Sequence, residues 1–196
     1  MKKLTALLLA VAGIVTIYLF AKDNTSLPEG WFAAGSNPSG YEMGVDNSVY
    51  QNGKAGAFIK SKNEDTKGFG TLTQSISAEN YLDKRLRLTG FIKSKDVKGW
   101  SGLWMRIDGD NGKQLGFDNM GNRPIKGTTD WKQYEIVLDV PANGKIINYG
   151  VLLGADGEVW LDNLKLEVVD KNVPVTSVEK EMIKLPKQPV NLDFEK

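Results

Sequence analysis

Between residues 99 and 123 the chain reads GWSGLWMRIDGDNGKQLGFDNMGNR, its most polar-aromatic stretch. Side chains of a strand alternate between faces, so within LWMRID the residues Trp104, Arg106 and Asp108 share one side, and Leu103, Met105 and Ile107 share the other. The aliphatic side suits a core. The opposite side carries the groups that sugar recognition uses: an aromatic face to stack on a ring, and a planar fork and a carboxylate for hydroxyls. Asp118, Asn119 and Arg123 follow the next strand and are placed to border the same surface, with Trp100 in the loop before it. A plainer arrangement is open too, in which Trp104 packs a second face of the sheet and Arg106 pairs with Asp108 or Asp118. Taken together these seven residues form the best candidate for a binding face.

Other chemistry is narrowed by what the sequence lacks. The 196 residues include no cysteine, which excludes disulfides, thiolate catalysis, cysteine metal sites and a lipid-modified N-terminal Cys. They include no histidine either, which removes the usual general base and the commonest transition-metal ligand. Asp108, Asp118 and Asp130 could supply a carboxylate pair for glycoside hydrolysis, yet nothing separates them from turn and surface aspartates. Catalysis is therefore not expected. With 25 Lys and Arg against 24 Asp and Glu there is no basic surplus to attract nucleic acid.

The elements that position these residues follow from the pattern of the chain. At the N-terminus Lys2 and Lys3 precede residues 4 to 21, which carry no charge. This is the pattern of a signal peptide or signal anchor over residues 1–22, and its length sits near the minimum that spans a bilayer. Cleavage after Ala21 would put the bulky Leu19 three positions back, which favours an uncleaved anchor. Either way the remainder is expected outside the cytoplasmic membrane, tethered or secreted.

From residue 27 to 169 short strand-like runs alternate with Gly, Asn, Asp and Pro. Strands are expected at about 41–46, 55–61, 69–76, 85–94, 101–108, 113–118, 131–140, 146–153 and 158–168. RLRLTGFIKS sets Leu86, Leu88 and Ile92 against Arg85, Arg87 and Lys93, the signature of a sheet covered on one side. KQYEIVLDV does the same with Tyr134, Ile136, Leu138 and Val140 inward. No comparable amphipathic helix competes, so the class is all-β, an antiparallel sandwich or jelly roll. Residues 170–188 form a charged connector, where Thr176 and Glu179 read as a capping box for a short helix that Pro186 ends. DGDNG at 108–112 opens like a calcium loop but lacks the later glutamate, and reads as a hairpin turn.

The phrases NGKAGAFIKS, LTQSISAENYLDKRLRLTGFIKS, GTTDWKQYEIVLDVP and GEVWLDNLKLEVV occur in the order of a galactose-binding-like jelly roll of the carbohydrate-binding-module type, which the region from Trp31 to Val169 resembles. The chain is also similar to uncharacterised exported bacterial domains often labelled transcriptional regulators. The resemblance implies a non-catalytic binding module for a glycan or related polar ligand. The alternative is a protein-interaction or structural module of a cell-envelope assembly, using the same surface for a protein partner. It assigns Trp131 and Trp160 to core or rim packing.

The resemblance also implies a structural Ca²⁺ held by Asp46, Asp162 and Glu195, with carbonyls near Lys54; in the competing reading Asp46 caps a turn and Asp162 binds backbone. Finally, modules of this type open on a phrase like NLDFE followed by P-x-G-W. Here LPEGW stands at 27–31 while NLDFE stands at 191–195. Residues 189–196 are therefore expected to fold back as the family's first strand, with Leu192 and Phe194 buried and Glu195 near Asp162. The alternative is that this phrase begins a second domain.

Overall fold

The computed structural model describes residues 26–177 together with Gln188 and Leu192. The N-terminal apolar segment, the connector beyond Ser177 and most of the expected terminal strand lie outside the described residues. Among the described residues no helix is long and apolar enough to cross a membrane.

Nine strands follow one another: β1 (Phe32–Gly35), β2 (Tyr41–Asp46), β3 (Gly56–Ser61), β4 (Phe69–Ser77), β5 (Arg85–Asp108), β6 (Gln114–Asp118), β7 (Ile125–Asp139), β8 (Ile146–Gly154) and β9 (Glu158–Val169). Every pairing is antiparallel. The expected strands at 85–94 and 101–108 are in fact one. The first part of β5 pairs with β7 and β9, and its last part, from Trp100 onward, pairs with β8 and β6. Two layers result, β7-β5-β9-β3-β2 and β6-β5-β8-β4-β1, joined through the middle of β5. At that bend the register against β7 slips between Ile92 and Ser94, again before Val97, and again before Ser101. Bulges of this kind let a strand turn the corner of a sandwich. Gly99 sits at the corner, where a Cβ would come within 2.3 Å of the Gly154 carbonyl oxygen, so only glycine allows the approach.

Alternation then places the core. Leu86, Leu88 and Ile92 from one part of β5, and Leu103, Met105 and Ile107 from the other, are fully buried. They meet Ile136 and Leu138 of β7, Ile147, Val151 and Leu153 of β8, and Ile59, Leu72, Val159 and Leu161. Truncating one such side chain to Ala costs about 2–5 kcal/mol.

Two further strand expectations change. Strand β1 was not foreseen, because FAAG is short, mostly exposed and without alternation. Strand β7 starts at Ile125 rather than 131. The Thr176 side chain donates to Asp118 Oδ2 (2.6 Å) and accepts from the Val137 N–H (2.8 Å), tying the chain to the edge of β7; the short helix expected after it lies outside the described residues. Of the expected terminal strand only Leu192 is described, and it is 76% exposed, contrary to the expected burial.

Candidate functional site

The outer face of the second layer can be built from its register. Arg106 of β5 lies between Phe117 of β6 and Asn148 of β8, and Asn148 lies beside Ser75 of β4. One step along, Trp104, Gly150, Thr73 and Phe32 form a row across β5, β8, β4 and β1. The next rows hold Gly102, Leu152, Thr71 and Ala34, then Trp100, Gly154 and Phe69. Glycine alternating with large side chains leaves a trough, and a groove of about 430 Å³ runs there. Five aromatic rings line it: Phe32, Phe69, Trp100, Trp104 and Phe117. The three phenylalanines are exposed.

Hydrogen bonds fix what the groove presents. Trp104 donates its indole N–H to Thr71 Oγ1 (2.6 Å), which in turn donates to the Val151 carbonyl (2.8 Å). The N–H is spent, so the indole offers the groove its π surface. Arg106 donates Nε (3.0 Å) and Nη2 (2.9 Å) to one oxygen, Asp108 Oδ2, and Asn148 Nδ2 donates to the same atom at 2.7 Å. Asp108 is nearly inaccessible, with 6% of its side chain exposed against 44% for Arg106, and Oδ1 is buried with no partner among the described residues. Asp108 thus lies beneath the groove and holds two of its polar side chains in place.

Of the seven residues expected on this face, Trp100, Trp104, Arg106 and Asn119 line the groove. Asp108 supports them from behind. Asp118 and Arg123 do not border it. The Asp118 carboxylate points to the opposite side of β6, accepting from the Met120 N–H (2.8 Å), both Arg123 Nη atoms (3.2 and 2.7 Å) and Thr176. That ion pair is a structural tie. The residues not foreseen come from other strands: Phe32, Phe69, Thr71, Thr73, Phe117, Asn148 and Leu152. A signal existed in FGTLT, where Phe69, Thr71 and Thr73 alternate with the core residue Leu72.

The candidate cation ligands occupy another place and are already engaged. Asp46 Oδ1 accepts from the Ser48 N–H and hydroxyl and the Val49 N–H, and Oδ2 accepts from the Trp160 indole at 2.9 Å. Burial opposes the Asp46 charge, but the Ser48 hydroxyl, the Trp160 indole and the backbone N–H groups outweigh it and hold the pKa below the usual value. Asp162 Oδ2 accepts from the N–H groups of Gln51 and Asn52, and Oδ1 from that of Asn163. Donors already engage both carboxylates, whereas Ca²⁺ takes about six to eight oxygen ligands. Glu195 lies outside the described residues. Trp160 is buried, in keeping with its assignment to packing, and DGDNG forms the β5–β6 hairpin turn, with Gly109 N–H bonded to the Lys113 carbonyl.

Comparison with solved structures defines the class. The xylan-binding CBM22-1 domain of Paenibacillus barcinonensis Xyn10C superposes with a TM-score of 0.53 at 15% identity, over 73% of this chain and 88% of that one. The enzymatically active domain of bacteriophage CBA120 tailspike protein 4 gives 0.56 at 14% identity, over 72% of this chain but 20% of that one. The chain is a β-sandwich with the jelly-roll fold of carbohydrate-binding modules. In sequence it is 47% identical over 168 residues, 85% of its length, to a Bacillus subtilis protein named as an uncharacterised HTH-type transcriptional regulator, YbfP. It spans 57% of that relative's length. No family profile matches the chain.

Proposed function

We propose that this domain binds a carbohydrate, without catalysis, in the groove of the second layer. The observation that carries this reading is the set of five aromatic rings in one sheet face around Arg106. Pyranose rings have apolar faces that stack on aromatic side chains, while a few fixed polar groups set orientation. An apolar patch without charged groups would favour a protein partner instead. Here a guanidinium held by a buried carboxylate stands among the rings. The shared fold of a xylan-binding domain adds support.

Absence of catalysis rests on chemistry. Glycoside hydrolysis takes two carboxylates roughly 5–10 Å apart across the scissile bond. Among the described residues that line the groove there is no Asp or Glu. The pattern of Lys2, Lys3 and the uncharged run after them supports a position outside the cytoplasmic membrane. For the stretch shared with the Bacillus relative we assign ligand binding rather than nucleic-acid contact, because the balanced charge supplies no counterion-releasing surface.

A glycan array with the protein, alongside Trp100→Ala and Phe117→Ala, tests the reading. At least one glycan is expected to bind, with affinity about tenfold weaker in each variant, the scale of a lost stacking contact. No bound glycan, or binding indifferent to both substitutions, removes the groove as a carbohydrate site.

A further inference from the structure

The groove has a polarity of its own, which appears when each side-chain donor and acceptor is followed to its partner. Most of the side-chain oxygens already hold a donor. Asn119 Oδ1 accepts from the Gly121 N–H at 3.1 Å, and Asn148 Oδ1 accepts from Ser75 at 2.6 Å. Thr71 Oγ1 accepts from Trp104 and donates to a carbonyl, and Thr73 Oγ1 lies 3.3 Å from it. Asp108, which carries the nearest carboxylate, is buried beneath Arg106 and Asn148.

Apart from the Thr73 hydroxyl, which can still accept, the side-chain groups without a partner are donors. Arg106 uses Nε and Nη2 on Asp108, which leaves Nη1 without a partner among the described residues, on a side chain 44% exposed. Asn119 Nδ2 and the Trp100 indole N–H are likewise without partners among the described residues, and both side chains line the groove. These amide orientations are fixed by their other bonds, because Asn148 must donate to Asp108 and Asn119 must accept from a backbone N–H.

A hydroxyl brings a hydrogen that seeks an acceptor, and this groove supplies few. A carboxylate brings only acceptors, in a plane that matches a guanidinium edge. We infer that the groove selects an acidic sugar: a uronic-acid residue whose ring stacks on the aromatics and whose carboxylate docks on the open edge of Arg106, with Asn119 and Trp100 as further donors. This inference rests on the carbohydrate reading above.

The test is titration calorimetry with the full chain, using oligosaccharides of galacturonic, glucuronic and mannuronic–guluronic acid, each beside its carboxyl-reduced neutral twin. At least one acidic member is expected to bind about tenfold or more tightly than its twin at low salt, the range of a charge-assisted hydrogen bond. The advantage should shrink as sodium chloride is raised. Asn119→Asp keeps the acceptor for Gly121 while turning a donor into a negative oxygen, so it should collapse the acid-to-neutral ratio with little change in melting temperature. Arg106→Gln should collapse it as well, and Arg87→Gln on the other layer should leave it intact. Equal affinity within every pair overturns the acidic preference and leaves the carbohydrate reading standing. No binding to either member of any pair also overturns it, and the glycan array then decides whether the broader reading falls too.

Discussion

The two halves of β5 obey the same alternation and yet make opposite surfaces. In the first half Arg85, Arg87 and Lys93 each meet an acid on another strand. Arg85 gives Nε and Nη2 to the two oxygens of Asp139, and Nη1 to the carbonyls of Lys171 and Val173. Arg87 binds Glu167, which Lys165 also contacts, and Lys93 binds Asp130 at 2.8 Å. In the second half Arg106 finds its acid two residues along its own strand, and the strands on either side present Phe117 and Asn148 instead. Charge is therefore consumed sideways in one layer and left facing outward in the other. A charged residue on a sheet face marks a site only when its neighbours leave part of it unpaired.

Removing the acid on each side should separate these cases. Asp108→Ala removes the nearly inaccessible acceptor that Arg106 and Asn148 share, at a cost of about 1–3 kcal/mol. Glycan binding should weaken with it, as Arg106 loses its orientation. Asp139→Ala, with 47% of the side chain exposed, should cost at most about 1 kcal/mol and leave glycan binding unchanged. Chemical denaturation of both variants checks the order; equal losses would mean that Asp108 has no special burden.

How much of this was readable beforehand depends on whether the determinant is local. The core faces of β5 and β7 follow from period-two alternation, and the ordered phrases carried the jelly roll. The continuity of β5 through SKDVKGW was not readable, because bulges erase alternation where the strand turns between layers. In β6 the usual rule inverts. Phe117 is exposed and Asp118 buried, since an aromatic groove wants the ring outside while Arg123 and Thr176 satisfy the acid within. Hence Asp118 and Arg123 looked like part of the face, and Phe117 did not. The groove residues of β1, β4 and β8 depend on strand order and register, which no single stretch encodes.

The paired layer should also show itself in acid. Asp139 is held below the ordinary 3.8 by its hydrogen bonds to Arg85, and Asp130 by Lys93. Glu167 is held below 4.5 by Lys165 and Arg87. A carboxylate whose pKa is lower folded than unfolded adds stability that is complete above the unfolded value and lost as pH falls through the folded one. Melting temperature should therefore hold steady down to about pH 5 and decline below about 4. Asp139→Asn should make that decline shallower. A decline of the same slope in the variant would show that the Arg85 pair contributes nothing to it.

The smallest expected effect concerns calcium. A Ca²⁺ between Asp46 and Asp162 would compete for their oxygens with the N–H groups of Ser48, Val49, Gln51 and Asn52 and the indole of Trp160. Those bonds hold the loop from 47 to 54 against β9, and an ion there would need about six or more oxygens of its own. The arrangement thus predicts the same melting temperature in EDTA as in millimolar calcium. A calcium-dependent rise would mean that the loop rearranges around the ion. Repeating the melt with Glu195→Gln would then tell whether the C-terminal phrase supplies a ligand, because loss of the rise in that variant would bring residues 189–196 back to the sandwich.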